Sequence, residues 1–212
     1  MSGLTISPSI LSADFSRIAE EIRALEAGGA DMIHYDVMDN HFVPNLTFGF
    51  KFVGDAIATA KIGSDVHLMI ERPEDSLDRW LELKPDFLSF HLEACRNPGQ
   101  AIDRIHAAGC QACLAIKPAT PVSELEPYLA GLDAVLVMLV EPGFGGQAML
   151  PDTVAKIGTV RKLAPSISIQ IDGGIKQDNF RPLVALGADN LVVGSGIFAA
   201  GDYAAAIRAF RG

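Results

Sequence analysis

The segment Gly29-Ala30-Asp31-Met32-Ile33 joins a turn and an aspartate to the start of an apolar run. The same pattern recurs at residues 84–88, 131–135 and 187–191, with aspartates at positions 86, 133 and 189. The intervals between the four aspartates are 55, 47 and 56 residues, and each is long enough for two strand-helix units. The pattern therefore predicts four strands, one directly after each aspartate.

Four further apolar segments, at residues 5–10, 61–69, 111–116 and 166–171, predict strands between these. Helical segments separate the strands, for example residues 14–27, where Phe15, Ile18, Ile22 and Leu25 have helical spacing. Strands that alternate with helices are parallel, and 212 residues over 8 units give 26.5 per unit. The sequence thus predicts an α/β fold, a single (β/α)8 TIM barrel of eight parallel strands spanning residues 1–212 as one domain. A doubly wound sheet is the alternative.

Composition restricts the class of protein. The chain is 49 % hydrophobic and 20 % charged, which excludes general disorder, and no apolar run approaches the roughly 20 residues of a membrane span. A net charge of −9 with scattered basic residues argues against a nucleic-acid partner, and no membrane partner is expected. The N-terminus lacks a secretory signal pattern, so a cytoplasmic location is expected. Cys110 and Cys113 form a Cys-x-x-Cys pair, a redox or zinc motif that is weak alone, and we expect free structural thiols.

Polar residues on one face of three strands form a candidate metal site. His34 and Asp36 share a face of the second strand, His67 lies on the third, and Asp172 ends the seventh. Alternation points all four into the barrel near the C-terminal strand ends, where active sites of this fold lie. Two imidazoles and two carboxylates suit a divalent transition metal. Taken singly, each histidine is more often a core or surface residue.

Further residues near the rim are predicted to point into the barrel, because they lie on the same faces of their strands as these four. Met38, Met69 and Met138 are predicted to line the cavity, either as flexible core filler or as a weakly polar wall beside the metal. Ser9 should lie nearer the rim than Ser7.

Glycine-rich segments follow the last three strands, at residues 141–147, 172–174 and 194–196. Glycine lets backbone N–H groups approach an anion closely, and the loops after strands seven and eight bind phosphate in many barrels. Each cluster alone is typical of a turn, but their joint position favours a phosphate site.

These segments resemble the ribulose-phosphate 3-epimerase family over essentially the whole chain. The matching stretches are residues 7–15, 34–45, 65–69, 91–94, 117–121, 137–138, 141–147, 172–174 and 194–195. Two positions differ from the family pattern. Asn40 replaces a frequent glycine, and Leu139 stands where a small hydroxyl residue is expected. Because Leu139 has the opposite parity to Met138, we expect it to face the helices.

The resemblance implies roles for individual residues. His34, Asp36, His67 and Asp172 would bind one divalent metal ion, with Zn, Fe(II), Mn and Co all left open; Asp36 is similar to the family's general base and Asp172 to its general acid. The implied substrate-binding residues are Ser9, His67, Gly143, Phe144, Gly145, Gly146, Asp172, Gly173, Gly174, Gly194 and Ser195.

The resemblance also implies an isomerase of the pentose phosphate pathway that interconverts D-ribulose 5-phosphate and D-xylulose 5-phosphate. Inverting C3 requires proton transfer by two carboxylates on opposite faces, through an enediolate that a metal stabilises. The alternatives are a D-allulose 6-phosphate 3-epimerase, another metal-dependent sugar-phosphate barrel enzyme, and a non-catalytic sugar-phosphate binding protein. A Schiff-base aldolase would need an inward lysine, for which Lys117 is the strand-end candidate. A homo-oligomer is left open.

Overall fold

Eight parallel strands form one sheet in the order β1-β8-β7-β6-β5-β4-β3-β2 in the computed structural model, which describes residues 3–212. A parallel bridge between Ser9 and His34 brings the first strand against the second, so the sheet closes into a barrel. The predicted TIM barrel is confirmed. The strands are β1 Thr5–Pro8, β2 Met32–Met38, β3 Gly63–Met69, β4 Phe87–His91, β5 Gln111–Ile116, β6 Ala134–Met138, β7 Ser168–Asp172 and β8 Asn190–Val193.

Helices cover most of the outside of the barrel. They are α1 Ile18–Ala27, α2 Phe50–Thr59, α3 Leu77–Leu81, α4 Pro98–Ala107, α5 Ala155–Leu163, α6 Phe180–Ala185, α7 Ser195–Phe198 and α8 Tyr203–Arg211. Between β5 and β6 the chain forms two 3-10 turns, Val122–Leu125 and Leu129–Gly131, in place of an α-helix. Pro127 lies between these turns, and proline lacks the N–H that a continuous helix needs.

The first helix is shorter than the predicted one. Residues Phe15–Arg17 form a 3-10 turn, and α1 begins only at Ile18. Phe15 is 47 % exposed and packs edge-on against Phe48, whereas Ile22 and Leu25 are buried against the barrel. The predicted apolar face therefore holds for α1 itself but not for Phe15.

The recurring aspartates each cap the start of a neighbouring strand. Each carboxylate accepts a hydrogen bond from the backbone N–H of the second residue of the odd-numbered strand before it, at 2.7–3.0 Å. The four pairs are Asp31 with Ile6, Asp86 with Ser64, Asp133 with Ala112, and Asp189 with Ile169. A buried N–H left unpaired would cost free energy, so the aspartates help to fix the stagger of each strand pair.

Side chains alternate between the helical layer and the barrel interior, as predicted. Ile33, Tyr35 and Val37 of β2 are buried in the core beneath the helices, and Leu139 joins that core as expected from its parity. Inside the barrel, Cys113 and other small or apolar residues of β5 and β6 form a separate cluster. This alternation directs the polar residues of β2, β3 and β7 to the interior.

Two smaller sequence features have structural explanations. Asn40 has a φ of +59°, the left-handed conformation that glycine prefers and asparagine tolerates, which accounts for asparagine at a position where glycine is frequent. Cys110 and Cys113 are both buried free thiols, as expected. No helix within residues 3–212 has the length and apolar composition needed to cross a membrane.

Candidate active site

A cavity opens at the C-terminal end of the barrel. Its walls combine strand ends with the loops that follow β1, β6, β7 and β8. The predicted residues among its lining are Ser9, Asp36, Met38, Met69, Met138, Gly143, Phe144, Gly145, Gly146, Asp172, Gly173, Gly174, Gly194 and Ser195. The structure therefore brings together at one mouth nearly all of the residues that the sequence singled out.

His34, Asp36, His67 and Asp172 form a compact cluster below this mouth. Asp36 and His67 are direct partners in the register of β2 and β3, and Asp172 is the last residue of β7. One ligand atom from each of the four residues lies within 4.8 Å of the others. Ligands held 2.0–2.2 Å from a common ion lie roughly 3–4 Å apart, so a small contraction would suit a divalent metal.

Two buried nitrogen atoms test whether a metal fits here. Within residues 3–212, His34 Nε2 and His67 Nδ1 have no hydrogen-bond partner, and each lies 3.4 Å from Asp36 Oδ1. Unpaired polar atoms are costly in a dry interior, and imidazole nitrogens with free lone pairs are metal ligands. The donor set and its unsatisfied atoms fit a divalent cation, so the cluster is able to bind one.

Neighbouring side chains hold these groups in place. His34 Nδ1 donates to Asp65 Oδ2 at 2.8 Å, which leaves Nε2 directed at Asp36. The Ser9 hydroxyl donates to Asp36 Oδ2, whereas Oδ1 faces the nitrogens of His34 and His67. Asp65 is not among the predicted site residues. The sequence does show that it shares the inward face of β3 with His67, because the two residues are two positions apart.

The two carboxyl groups at the cavity have opposite electrostatic environments. Burial disfavours the charged form of Asp36, but the positive charge of His34 and the close approach of the His34 and His67 rings outweigh it and hold its pKa well below the usual range. Burial, reinforced by the negative charge of Asp36, raises the pKa of Asp172 to about 7. At neutral pH Asp36 is therefore ionised, whereas Asp172 is partly protonated.

The histidines differ from each other as well. Burial alone would lower the pKa of His34, but the carboxylates of Asp65 and Asp36 overcome this and raise it well above the usual value. Burial lowers the pKa of His67. Both side chains are fully buried and lie behind the wall that Asp36 presents to the cavity. For His67, the implied contact with substrate stays a prediction.

Glycines shape the wall opposite Asp36. Gly173 and Gly174 have φ values of +114° and +67°, and a Cβ on Gly174 would lie only 2.4 Å from the backbone nitrogen of Met149. Side chains are therefore excluded at this turn, and the backbone comes directly to the cavity. In the loop after β6, the carbonyl oxygen of Gly143 accepts a hydrogen bond from the side-chain amide of Asn45 at 2.7 Å. Phe144 of the same loop is 54 % exposed at the mouth.

Methionines form the apolar part of the lining. Met38, Met69 and Met138 are each at most 3 % exposed, and the first two pack together with Val43. Lys117 is not part of this lining, because its Nζ lies 3.7 Å from the centre of the Phe42 ring. An inward lysine for Schiff-base chemistry is thus not found at the one strand end where the sequence offered it.

Comparison with known proteins identifies relatives along nearly the whole chain. A family model described as the ribulose-phosphate 3 epimerase family matches residues 5–198. The chain is 44 % identical over 208 residues to ribulose-phosphate 3-epimerase 1 of Cupriavidus necator, covering 94 % of this chain and 86 % of that protein. It is 42 % identical over 209 residues to the ribulose-phosphate 3-epimerase of Serratia marcescens, covering 96 % and 99 %.

Solved structures of lower identity share the architecture. KGPDC from Streptococcus mutans superposes with a TM-score of 0.74 at 12 % identity, covering 98 % of this chain and 96 % of that one. A 3-hexulose-6-phosphate synthase gives a TM-score of 0.70 at 17 % identity, with 98 % of both chains covered. These two likenesses concern the fold alone.

Proposed function

Since the chain belongs to the ribulose-phosphate 3-epimerase family, and is therefore an isomerase that acts on a sugar phosphate, we propose that it interconverts D-ribulose 5-phosphate and D-xylulose 5-phosphate. The observation that carries the proposal is the pair Asp36 and Asp172, which border one cavity with pKa values displaced in opposite directions.

Epimerisation at C3 needs a base on one face of the carbon and an acid on the other. Asp36 is ionised and positioned by the hydroxyl of Ser9, so it is suited to remove the proton. Asp172, with a pKa near 7, is suited to return a proton to the opposite face. In the reverse direction the two residues exchange roles.

The negative charge that develops on the substrate oxygens needs a counter-charge. A divalent metal ion held by His34, Asp36, His67 and Asp172 would supply it as a Lewis acid. Asp65 supports the arrangement by holding Nδ1 of His34, so that Nε2 is the nitrogen available to the ion.

The remaining wall suits the rest of the substrate. Gly173, Gly174, Gly194 and Ser195 bring backbone to the cavity after β7 and β8, the usual place for phosphate in this fold. The loop of residues 143–146 completes the mouth. Met38, Met69 and Met138 offer few hydrogen-bonding atoms near the reacting carbon, which favours exclusion of water.

The test is to incubate the purified protein with D-ribulose 5-phosphate and follow D-xylulose 5-phosphate by nuclear magnetic resonance. Treatment with a chelator should abolish turnover, and Zn²⁺, Fe²⁺, Mn²⁺ or Co²⁺ should restore it. D-allulose 6-phosphate serves as the comparison substrate, and faster turnover of that hexulose would replace the proposed substrate. Cleavage products, or full activity in protein that elemental analysis finds free of metal, would refute the mechanism.

A further inference from the structure

A chain of polar groups runs from His67 away from the cavity, through the buried His91 to Glu93, which is partly exposed to solvent. His67 Nε2 lies 3.0 Å from His91 Nε2, and His91 Nδ1 lies 3.3 Å from Glu93 Oε2. The other oxygen of Glu93 accepts the backbone N–H of Lys117 at 2.7 Å and the hydroxyl of Thr120. The chain thus connects the third, fourth and fifth strands, and the chemistry proposed above uses only its first member.

The order of donors and acceptors along this chain is determined by its far end. A carboxylate has only acceptors, so the contact with Glu93 places the single proton of a neutral His91 on Nδ1. His91 Nε2 is then an acceptor, and the facing Nε2 of His67 must donate to it. His67 consequently has its lone pair on Nδ1, the atom that points at Asp36.

We propose that His91 and Glu93 are positioning residues, which hold His67 in the tautomer whose Nδ1 lone pair is free to bind the metal. The inference rests on the metal site of the proposed function. His34 is held by a carboxylate without an intervening histidine, because Asp65 accepts a hydrogen bond directly from its Nδ1. Partners behind a ligating histidine commonly fix its tautomer in this way. For His67 the carboxylate acts through a second imidazole.

Packing keeps water away from the two histidines of this chain. His67 and His91 are both 0 % exposed, and their rings stack with centroids 5.0 Å apart. Phe42 covers the other side of His91 with a centroid distance of 4.8 Å, and Lys117 Nζ lies over the Phe42 ring. Because no solvent reaches these nitrogens, water is not able to replace a lost partner, and the polarity set by Glu93 persists along the chain.

The substitution Glu93→Gln reverses that polarity with almost no change in shape. The amide oxygen should stay with the donors of Lys117 and Thr120, so the amide NH2 faces His91 Nδ1 and donates to it. The proton of His91 then moves to Nε2, and that of His67 moves to Nδ1, where it blocks the metal. We expect the affinity for Co²⁺ to fall 10–100-fold.

Two measurements test this. Nitrogen-15 spectra of the metal-free full chain should show His67 change from the Nε2–H to the Nδ1–H tautomer in Glu93→Gln, while the ring-nitrogen signals of His34 stay unchanged. Competition titration with a chelator measures Co²⁺ affinity. Ser89→Ala is the matched control, because Ser89 is fully buried on β4 but lies outside the chain, with Val66 O as its partner. Both measurements should be unchanged in this control.

The outcomes separate this inference from the proposed function. If the wild-type protein does not bind Co²⁺, the proposed metal site is wrong and the inference falls with it. If the wild-type protein binds Co²⁺ and Glu93→Gln binds it equally well with an unchanged tautomer, only the positioning role is overturned. If Glu93→Gln does not fold, His91→Phe decides, since it keeps an aromatic ring but removes the acceptor. Unchanged affinity in that variant would also overturn the role.

Discussion

His34 and Asp65 are direct partners across β2 and β3, with Nδ1 of the histidine 2.8 Å from Oδ2 of the aspartate. Both side chains are fully buried, so this hydrogen bond is not exchanged with water. It leaves Nε2 as the ring nitrogen of His34 that faces Asp36. The pairing of two neighbouring strands thus determines which nitrogen of His34 is offered to a cation.

The substitution Asp65→Asn should weaken metal binding by about 10–100-fold. A neutral amide keeps the shape of the side chain but accepts a weaker hydrogen bond from His34 Nδ1. Without its negative charge, the side chain also stabilises a nearby metal cation less. Isothermal titration with Zn²⁺ measures the change. Asp86→Asn is the control, because Asp86 caps β3 at the opposite end of the barrel and should affect stability but not metal affinity. Equal affinities for the wild-type protein and Asp65→Asn would contradict this role.

Asp36→Asn and Asp172→Asn should each lower the rate of epimerisation by about 10²–10⁴-fold, because asparagine is unable to exchange a proton at C3. The metal content of each variant is measured first, since both residues are also proposed ligands. A metal-loaded variant that epimerises at nearly the wild-type rate would exclude the two-carboxylate mechanism.

Deuterium oxide distinguishes the two carboxylates. Metal-loaded Asp172→Asn should exchange the C3 proton of the substrate that Asp36 deprotonates, without forming the epimer. Asp36→Asn should not exchange the proton of that same substrate. Mass spectrometry of recovered substrate measures the exchange, and the opposite pattern would reverse the assignment of base and acid.

Glu93 should make the folded state dependent on acidic pH. Burial alone would raise its pKa, but hydrogen bonds from His91, Thr120 and Lys117 lower it to about 2 from the ordinary 4.5. The unfolded chain therefore binds a proton before the folded chain does, and stability present above about pH 4.5 is lost as the pH falls towards 2. Because Glu93 is partly exposed, solvent screens part of this effect, and we expect a full difference of about 1–2 kcal/mol.

Urea unfolding at about pH 6 and pH 3 checks this expectation. The free energy of unfolding should fall more steeply in the wild-type protein than in Glu93→Gln, by about 1 kcal/mol over this interval. His91, whose pKa burial lowers to about 4, titrates in the same direction, so the two proteins are compared with each other. Parallel pH profiles would show that the carboxylate of Glu93 does not stabilise the fold.

Gly174→Ala should destabilise the protein by about 2 kcal/mol or more and lower affinity for the substrate. Its φ of +67° is strained for alanine, and the new Cβ would lie 2.4 Å from Met149 N, a backbone atom that is unable to move alone. Thermal unfolding and KM measure the two effects. Gly99→Ala in α4 is the control, because its Cβ meets only Asn97 Oδ1 at 3.9 Å. A Gly174→Ala protein with wild-type stability would mean that the turn has an alternative conformation.

Much of the barrel could be predicted because its signals are local. The starts of β2, β4, β6 and β8 follow directly from the aspartate pattern, and the observed strands begin at the next residue. The C-terminal end of β1 and the starts of β3 and β7 differ by two residues from the predicted limits, since the last hydrogen bonds depend on neighbouring strands. Phe15 was misplaced in a helical face because a 3-10 turn and a helix start have similar apolar spacing.

The sequence by itself determined which face of each strand is polar, because the side chains of a strand alternate with a period of two. That was enough to place Asp36, His67 and Asp172 near one mouth. Only the tertiary structure decided that Asp36 is ionised while Asp172 is partly protonated, and that His67 is tied through His91 to Glu93. Protonation and tautomer depend on distances between residues far apart in the chain and on their joint burial, and neither quantity is encoded in local spacing.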